Sequence, residues 1–382
     1  MNSRTVIIGG GVVGASVAYH LAERGAGEVI ILERESQQGM GSTGAATGGI
    51  RAQFETDINI QMSLYSVDFF KSIGFDCGYE PRGYLFFATT VEQFAYLTAN
   101  VAKQKSLGVE GVEVLDCSDI RKLVPGMNCD DIVGGSFGAN DGFINPIAVM
   151  DGFTRGALSG GAQIRLNVRV SGIECSGDKV KGLRTDDGVV ECDKVVICTG
   201  AWARDLAATA GVDLPVEPMR RQIVWARAAR PLPEMLPMVI DLGTGFHFRP
   251  AKGSRDEVLF AYPDPDEVRS FERTLVPEFV AKICATAASR APFLGEAEVM
   301  LEKCRVGLYE NTPDHHAILG GCDIDGLYFA NGFSGHGVMH SPATGRALAE
   351  IMLDGGAKFL DVSCLSIDRF KTGKLLHETA FI

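Results

Sequence analysis

The sequence predicts an α/β protein built on a doubly wound, dinucleotide-binding sheet, with a second domain beside it. Three observations carry this. Residues 5–33, TVIIGGGVVGASVAYHLAERGAGEVIILE, read as strand, glycine turn, helix, strand and acid. Residues 194–198, KVVIC, form a further buried-type strand ending in Thr199-Gly200-Ala201-Trp202. The chain has 382 residues, beyond the size at which one core keeps growing, so two domains are expected.

In the opening unit, residues 5–8 are β-branched and apolar, the mark of a buried strand. Gly9, Gly11 and Gly14 stand in G-x-G-x-x-G spacing. Such glycines allow a tight turn, a close diphosphate and a helix lying against the sheet. Residues 12–23, from Val12 and Val13 onward, have apolar positions at helical spacing, and Gly25 to Gly27 stops them. The helix start offers N–H groups and partial positive charge to a diphosphate. Residues 28–32 are the second strand; Glu33 at its end can accept from ribose hydroxyls, and Arg34 follows it. This stretch leaves FAD and NAD equally open.

Net charge of −12 argues against nucleic acid and anionic membrane surfaces. No apolar run reaches membrane-spanning length, and the fingerprint strand begins too early for a signal peptide, so a cytoplasmic protein is expected. The ten cysteines are scattered without metal spacing and read as buried free thiols. No metal site is expected; His315 and His316 are adjacent but have no third ligand in view.

After Glu33, residues 39–51, GMGSTGAATGGIR, are too glycine-rich for a good helix. They suit an extended loop close to a ligand, with Ser42 and Thr43 hydroxyls for phosphate or ribitol oxygens and Arg51 at the end. Helices are expected at 57–72, 91–107 and 146–158, strands at 83–89 and 194–198, and a short strand with a helical turn at 112–124. Residues 134–144 read as a turn-rich return. Residues 161–202 read as short strands turning at 176–178 and 186–188. Residues 214–237 are proline-rich around Trp225, and 231–239 suggest a loop or a partner surface. Strand-like runs follow within 246–262, then a largely helical 267–288, a loop and short strand over 311–320, and another strand at 326–330. NGFSGHGVMHSPATG then leads to a helix at 345–353, a second positive helix start.

Four separated segments together resemble the D-amino-acid-oxidase-like FAD amine oxidoreductases, a family that includes sarcosine oxidase, glycine oxidase and the β subunit of L-proline dehydrogenase. They are the opening fingerprint, GSTGAATGGIRAQF, VVICTGAW and GLYFANGFSGHGVMHSPATGRALAEIM. The resemblance implies a discontinuous Rossmann-like FAD domain over 1–76, 143–213 and 301–382. A mixed-sheet substrate domain would occupy 77–142 and 214–300. It further implies that Ala45, Ala46, Gly49, Ile50, Val170, Thr199, Gly200, Trp202 and Gly307 line the cofactor. The backbone of Gly335, His336, Gly337, Val338 and Met339 would stabilise reduced flavin.

Family members that bind FAD covalently carry His or Cys where this sequence has Ala45 and Gly307, so FAD is expected to be non-covalent. Arg51 is the leading anchor for a substrate carboxylate. Met339 and Tyr309 stand where relatives place basic residues, and His247 where they place an active-site Tyr. Tyr262 and His340 are further pocket candidates. Leu259 replaces an oxygen-activating Lys, which favours an acceptor other than O2 without excluding O2. The expected reaction is oxidation of the C–N bond of a small, secondary amino acid: hydride passes from the α-carbon to flavin N5, and the imine hydrolyses. Rival expectations are 2-hydroxyacid oxidation, with His247 or His340 as base, and a flavin-carrying subunit active only with a partner subunit.

Overall fold

The computed structural model of the chain describes residues 3–379. The first sheet has six strands in the order Ile318–Gly321, Leu327–Asn331, Lys194–Ile197, Arg4–Ile8, Glu28–Leu32, Gln163–Arg165. All neighbours are parallel except the outermost pair, Ile318–Gly321 with Leu327–Asn331. Its central strands are continuous apolar runs because both faces are covered. Ile7, Ile31 and Val196 pack under the helices Val12–Glu23 and Gly337–Asp354. Val6, Ile8, Ile30 and Ile197 pack under the meander Val170–Ser176, Lys179–Thr185, Gly188–Glu191 and the helix Ala203–Ala208.

From Arg4–Ile8 the sheet grows to Glu28–Leu32 on one side and Lys194–Ile197 on the other. The strand order reverses there, which opens a crevice at the strand C-termini. Ile8 lies opposite both Leu32 and Ile197, so the glycine turn, Glu33 and Thr199 emerge together at that crevice.

The second sheet is mixed. Its order is Glu298–Val299, Glu217–Arg227, Glu257–Ala261, His247–Pro250, Met238–Asp241, Tyr84–Ala88, Gly134–Gly138, Val112–Leu115, with Arg305–Asn311 also paired to Glu217–Arg227. One face, through Leu85, Phe87, Val224, Val239 and Phe260, packs on the helices Cys117–Leu123 and Pro277–Arg290. The opposite face carries Tyr84, Met238, Ile240, His247, Ala261 and Ile223 toward the first sheet's crevice.

Five expectations are corrected. Residues 214–237 hold the longest strand, Glu217–Arg227, which tolerates Pro218 near its start. Residues 231–239 are not an open partner surface: Leu232, Leu236, Met238 and Val239 are buried, and Met238–Asp241 is a strand within the sheet. Of 267–288 only Pro277–Arg290 is α-helical. The segment before it is tied to the sheet through Glu267 to Arg220 at 2.9 Å and Val276 N–H to Gln222 Oε1 at 2.7 Å. The glycine loop contains one helical turn, Ser42–Ala45. The last long helix begins at Gly337, eight residues earlier than the sequence suggests, with Pro342 inside it. Pro342 has no N–H for the carbonyl one turn back; the Ser341 hydroxyl donates to that Val338 carbonyl instead, at 2.9 Å.

Candidate active site

One cavity of about 490 Å³ runs between the two sheets. All the residues expected to hold cofactor or substrate line it except Gly14, Ile50 and His340; Leu259, His315 and His316 also lie outside its lining. Gly14 lies beneath the glycine turn, as its packing role requires. Ile50 turns into the core with Val12 and Phe54. His340 stands one turn behind His336, its Nε2 at 2.8 Å from the Ser63 hydroxyl; it is a core residue, not a pocket residue.

On the first-sheet side, Glu33 accepts the Gly10 N–H at 2.8 Å and the Glu35 N–H at 3.0 Å, so its carboxylate is fixed against the glycine turn. Arg34 stacks 3.8 Å from the Trp202 ring, and both line the cavity. The loop hydroxyls are less free than the sequence implies: Ser42 donates to the Leu308 carbonyl at 2.6 Å, and Thr43 accepts the Val12 N–H at 3.1 Å. Asn331 was not foreseen. It is fully buried, donates through Nδ2 to the Ile197 carbonyl and accepts the Gly200 N–H at 3.0 Å, holding the Thr199–Trp202 turn onto the sheet.

Two helices, Val12–Glu23 and Gly337–Asp354, start at this cavity; neither N-cap residue, Gly11 or His336, gives a side-chain cap, and of the first helix's leading N–H groups Thr43 takes only that of Val12. Uncapped N–H groups in a buried cavity favour an acceptor-rich, anionic ligand. At the second start the backbone is closely covered: a Cβ on Gly335 would lie 2.5 Å from the Tyr309 ring. Ala45 and Gly307 also meet here, since a Cβ on Gly307 would sit 2.9 Å from Ala45 Cβ. The cradle therefore fits a dinucleotide, and neither of those two side chains can bond to it.

On the second-sheet side, Ile240, His247, Ala261 and Ile223 form one cross-strand row. Arg221 lies beyond it, opposite Gly307. His247 Nδ1 is 2.8 Å from the Gly245 carbonyl, which can only accept, so Nδ1 bears the proton and Nε2 keeps its lone pair. Burial first, then Arg221, Arg51 and Arg249, lower its pKa to about 4, so the ring is neutral near pH 7. Arg51 is buried. Its guanidinium donates to the Gln53 carbonyl, lies 3.4 Å from His336 Nε2 and sits 3.8 Å over the Phe54 ring. Burial raises the Tyr309 hydroxyl, which stays protonated. Burial also lifts the Glu310 carboxyl to about 7. Tyr84, Arg221 and Glu310 line the cavity but were not among the expected site residues; the alternation in MRRQIVW was the one available signal for Arg221. His315 and His316 take no part in the cavity wall: His316 Nδ1 is held by the Asp314 carbonyl at 2.6 Å.

A sequence profile of the FAD dependent oxidoreductase family matches residues 4–351. The chain belongs to the FAD-dependent oxidoreductases. It is an FAD enzyme, and the two helix starts and the crevice at the strand ends are where its residues fit the cofactor. Among individual relatives, FAD-dependent oxidoreductase domain-containing protein 1 of Xenopus laevis is 32% identical over 98% of this chain and 83% of that protein. The 4-methylaminobutanoate oxidase (formaldehyde-forming) of Paenarthrobacter nicotinovorans is 30% identical over 96% of this chain and 45% of that protein. The L-proline dehydrogenase from P. horikoshii has a similar structure, with TM-score 0.89 and 28% identity over 98% of this chain and 99% of that one. Among the described residues no helix of this oxidoreductase is long and apolar enough to cross a membrane.

Proposed function

We propose that the chain oxidises the C–N bond of a small amino acid, a secondary amine by preference. The observation that carries this is the buried Arg51 guanidinium facing the same cavity as a neutral histidine, His247, beside the flavin cradle. Bound FAD supplies a two-electron acceptor for the hydride of the substrate α-carbon. Arg51 binds the carboxylate and fixes which carbon is presented. Nearby arginine charge disfavours a bound ammonium, so the amine enters or becomes neutral by releasing its proton to water. His247 Nε2 accepts from the amine N–H and orients it; with its pKa near 4 it orients the amine without taking its proton at neutral pH. Met238, Ile240, Ile223 and Ala261 form an apolar wall that displaces water. The amine-oxidising relatives support the same reading. The 2-hydroxyacid alternative has less support, since it needs a base and His340 stands outside the cavity.

The division into a discontinuous FAD unit (1–76, 143–213, 301–382) and a substrate unit (77–142, 214–300) is part of this proposal. So is non-covalent attachment of FAD: trichloroacetic acid should leave a colourless protein pellet and a yellow supernatant, and a yellow pellet would disprove it. The reaction is tested by anaerobic bleaching of the flavin with sarcosine, proline and glycine. Bleaching by at least one is expected; a flavin untouched by every amino acid offered sinks the reading.

A further inference from the structure

Where the strand Arg305–Asn311 passes the Thr199–Trp202 turn, the cavity wall holds two polar atoms with unmade chemistry. Glu310 Oε2 and Thr199 Oγ1 are both buried without a hydrogen-bond partner among the described residues. Both residues line the cavity. Backbone contacts fix where they stand. Asn331 holds the turn through the Gly200 N–H at 3.0 Å, and a Cβ on Gly200 would lie 3.8 Å from Glu310 Oε2. The Glu310 carbonyl accepts the Ser334 N–H at 3.3 Å, which ties the carboxyl-bearing strand to the loop before the helix Gly337–Asp354. Buried polar atoms left unpaired are unfavourable unless a ligand in the cavity completes them.

The surroundings of Glu310 decide its form. On the paired strand Pro218 stands opposite it, and the adjacent Glu217 is taken up by Arg204 and Arg269. The turn's charged neighbour, Arg34, is stacked on Trp202 at 3.8 Å. The helical turn Ser42–Ala45 and the loop 332–335 carry no charged side chain. His336 and Tyr309 are held neutral by burial, and so is the Cys198 thiol, which burial pushes far up. The N–H groups of Gly332 and Phe333 favour the charged carboxylate, but burial outweighs them. Bound FAD adds the negative charge of its diphosphate to the same cavity, which favours the neutral acid further. A neutral carboxyl has an O–H to donate, and FAD is rich in acceptors.

We propose that Glu310 is a cofactor ligand in its protonated form, donating its carboxyl O–H to an acceptor atom of FAD, so that FAD binds together with one proton. The proton comes from solvent: ionised Glu310, FAD and H⁺ give the complex with a neutral carboxyl. The sign follows from linkage. The carboxyl holds its proton more tightly with FAD bound than without it. FAD therefore binds best below about 7, where Glu310 is already protonated, and more weakly as pH rises, by at most about 10-fold per pH unit.

The test dilutes the FAD-loaded enzyme at about pH 6, 7.5 and 9 and reads released flavin by its fluorescence, giving the FAD Kd at each pH. In the parent, Kd should rise about 10-fold or more from the lowest pH to the highest. Glu310→Gln is neutral at every pH and still a donor, so it should hold FAD at the highest pH within about threefold of the parent at the lowest. Glu310→Ala, with no donor, should bind about 10-fold more weakly than the parent at the lowest pH, with the same Kd at all three. A parent that retains FAD equally at the three pH values overturns the proposal. A pH dependence that survives in Glu310→Gln overturns it too, and if that protein does not fold, one that survives in Glu310→Ala does the same.

Discussion

Gly14→Ala is expected to yield a chain that no longer retains FAD through gel filtration. A Cβ at Gly14 would stand 2.0 Å from the Gly9 carbonyl oxygen and 3.3 Å from Ile7 Cγ2. Neither neighbour is a flexible side-chain end: one is the backbone of the glycine turn, the other a strand buried on both faces. The helix Val12–Glu23 must therefore lift from the sheet, and its first turn carries the N–H groups at the cavity. Overpacking of this kind costs about 3 kcal/mol, which as lost affinity is about 100-fold. FAD binding stabilises the fold by mass action, so the melting temperature in excess FAD should fall as well. Gly74→Ala is the control, since a Cβ there meets nothing within 4 Å. The measurements are the flavin-to-protein ratio, the FAD Kd and the melting temperature. A Gly14→Ala protein with wild-type values in all three would show that the helix does not need to lie this close.

Arg51→Lys is the second large effect, and it separates chemistry from cofactor binding. Lysine keeps a positive charge but loses the planar fork that meets a carboxylate with two parallel hydrogen bonds. Its shorter donor set also cannot both reach the Gln53 carbonyl and stack over Phe54, as the guanidinium does. Weakening one member of a buried charge pair costs about 2–5 kcal/mol. The expected result is a fall of about 100-fold in anaerobic reduction rate over Kd for every carboxylated amine, with FAD still bound. A variant that reduces its flavin as fast as the parent, at the same substrate Kd, removes Arg51 from the carboxylate site. One that loses FAD makes Arg51 a structural residue first.

Much of the first sheet was legible in the sequence because it follows local rules. The strand Glu28–Leu32 and the helices Val12–Glu23 and Asp57–Ser72 fall where the apolar spacing puts them. Apolar runs, helical spacing and glycine stops act within about ten residues, so the chain declares them. The second sheet was harder to read. Glu217–Arg227 is a strand despite Pro218, because it is wedged between Glu257–Ala261 and Arg305–Asn311. Those partners are 30 and more residues away in sequence, and prolines read locally as loop.

The glycine spacing Gly9-Gly11-Gly14 and the segments after Glu33 were enough to assign a dinucleotide site and, by resemblance, FAD. Which side chains share the other end of that cavity was decided only by tertiary structure. Whether Arg221 or its neighbour Arg220 faces inward depends on the register of Glu217–Arg227 against Arg305–Asn311, and a slip of one residue would exchange them. His340 was expected in the pocket, but it stands one turn further along the helix than His336, which lines the cavity, and it packs against Ser63 instead. The helices and the apolar strands of the first sheet follow patterns among near neighbours; the strand Glu217–Arg227 and the set of charges that meet in the buried cavity are fixed by pairings across the fold, which no local pattern encodes.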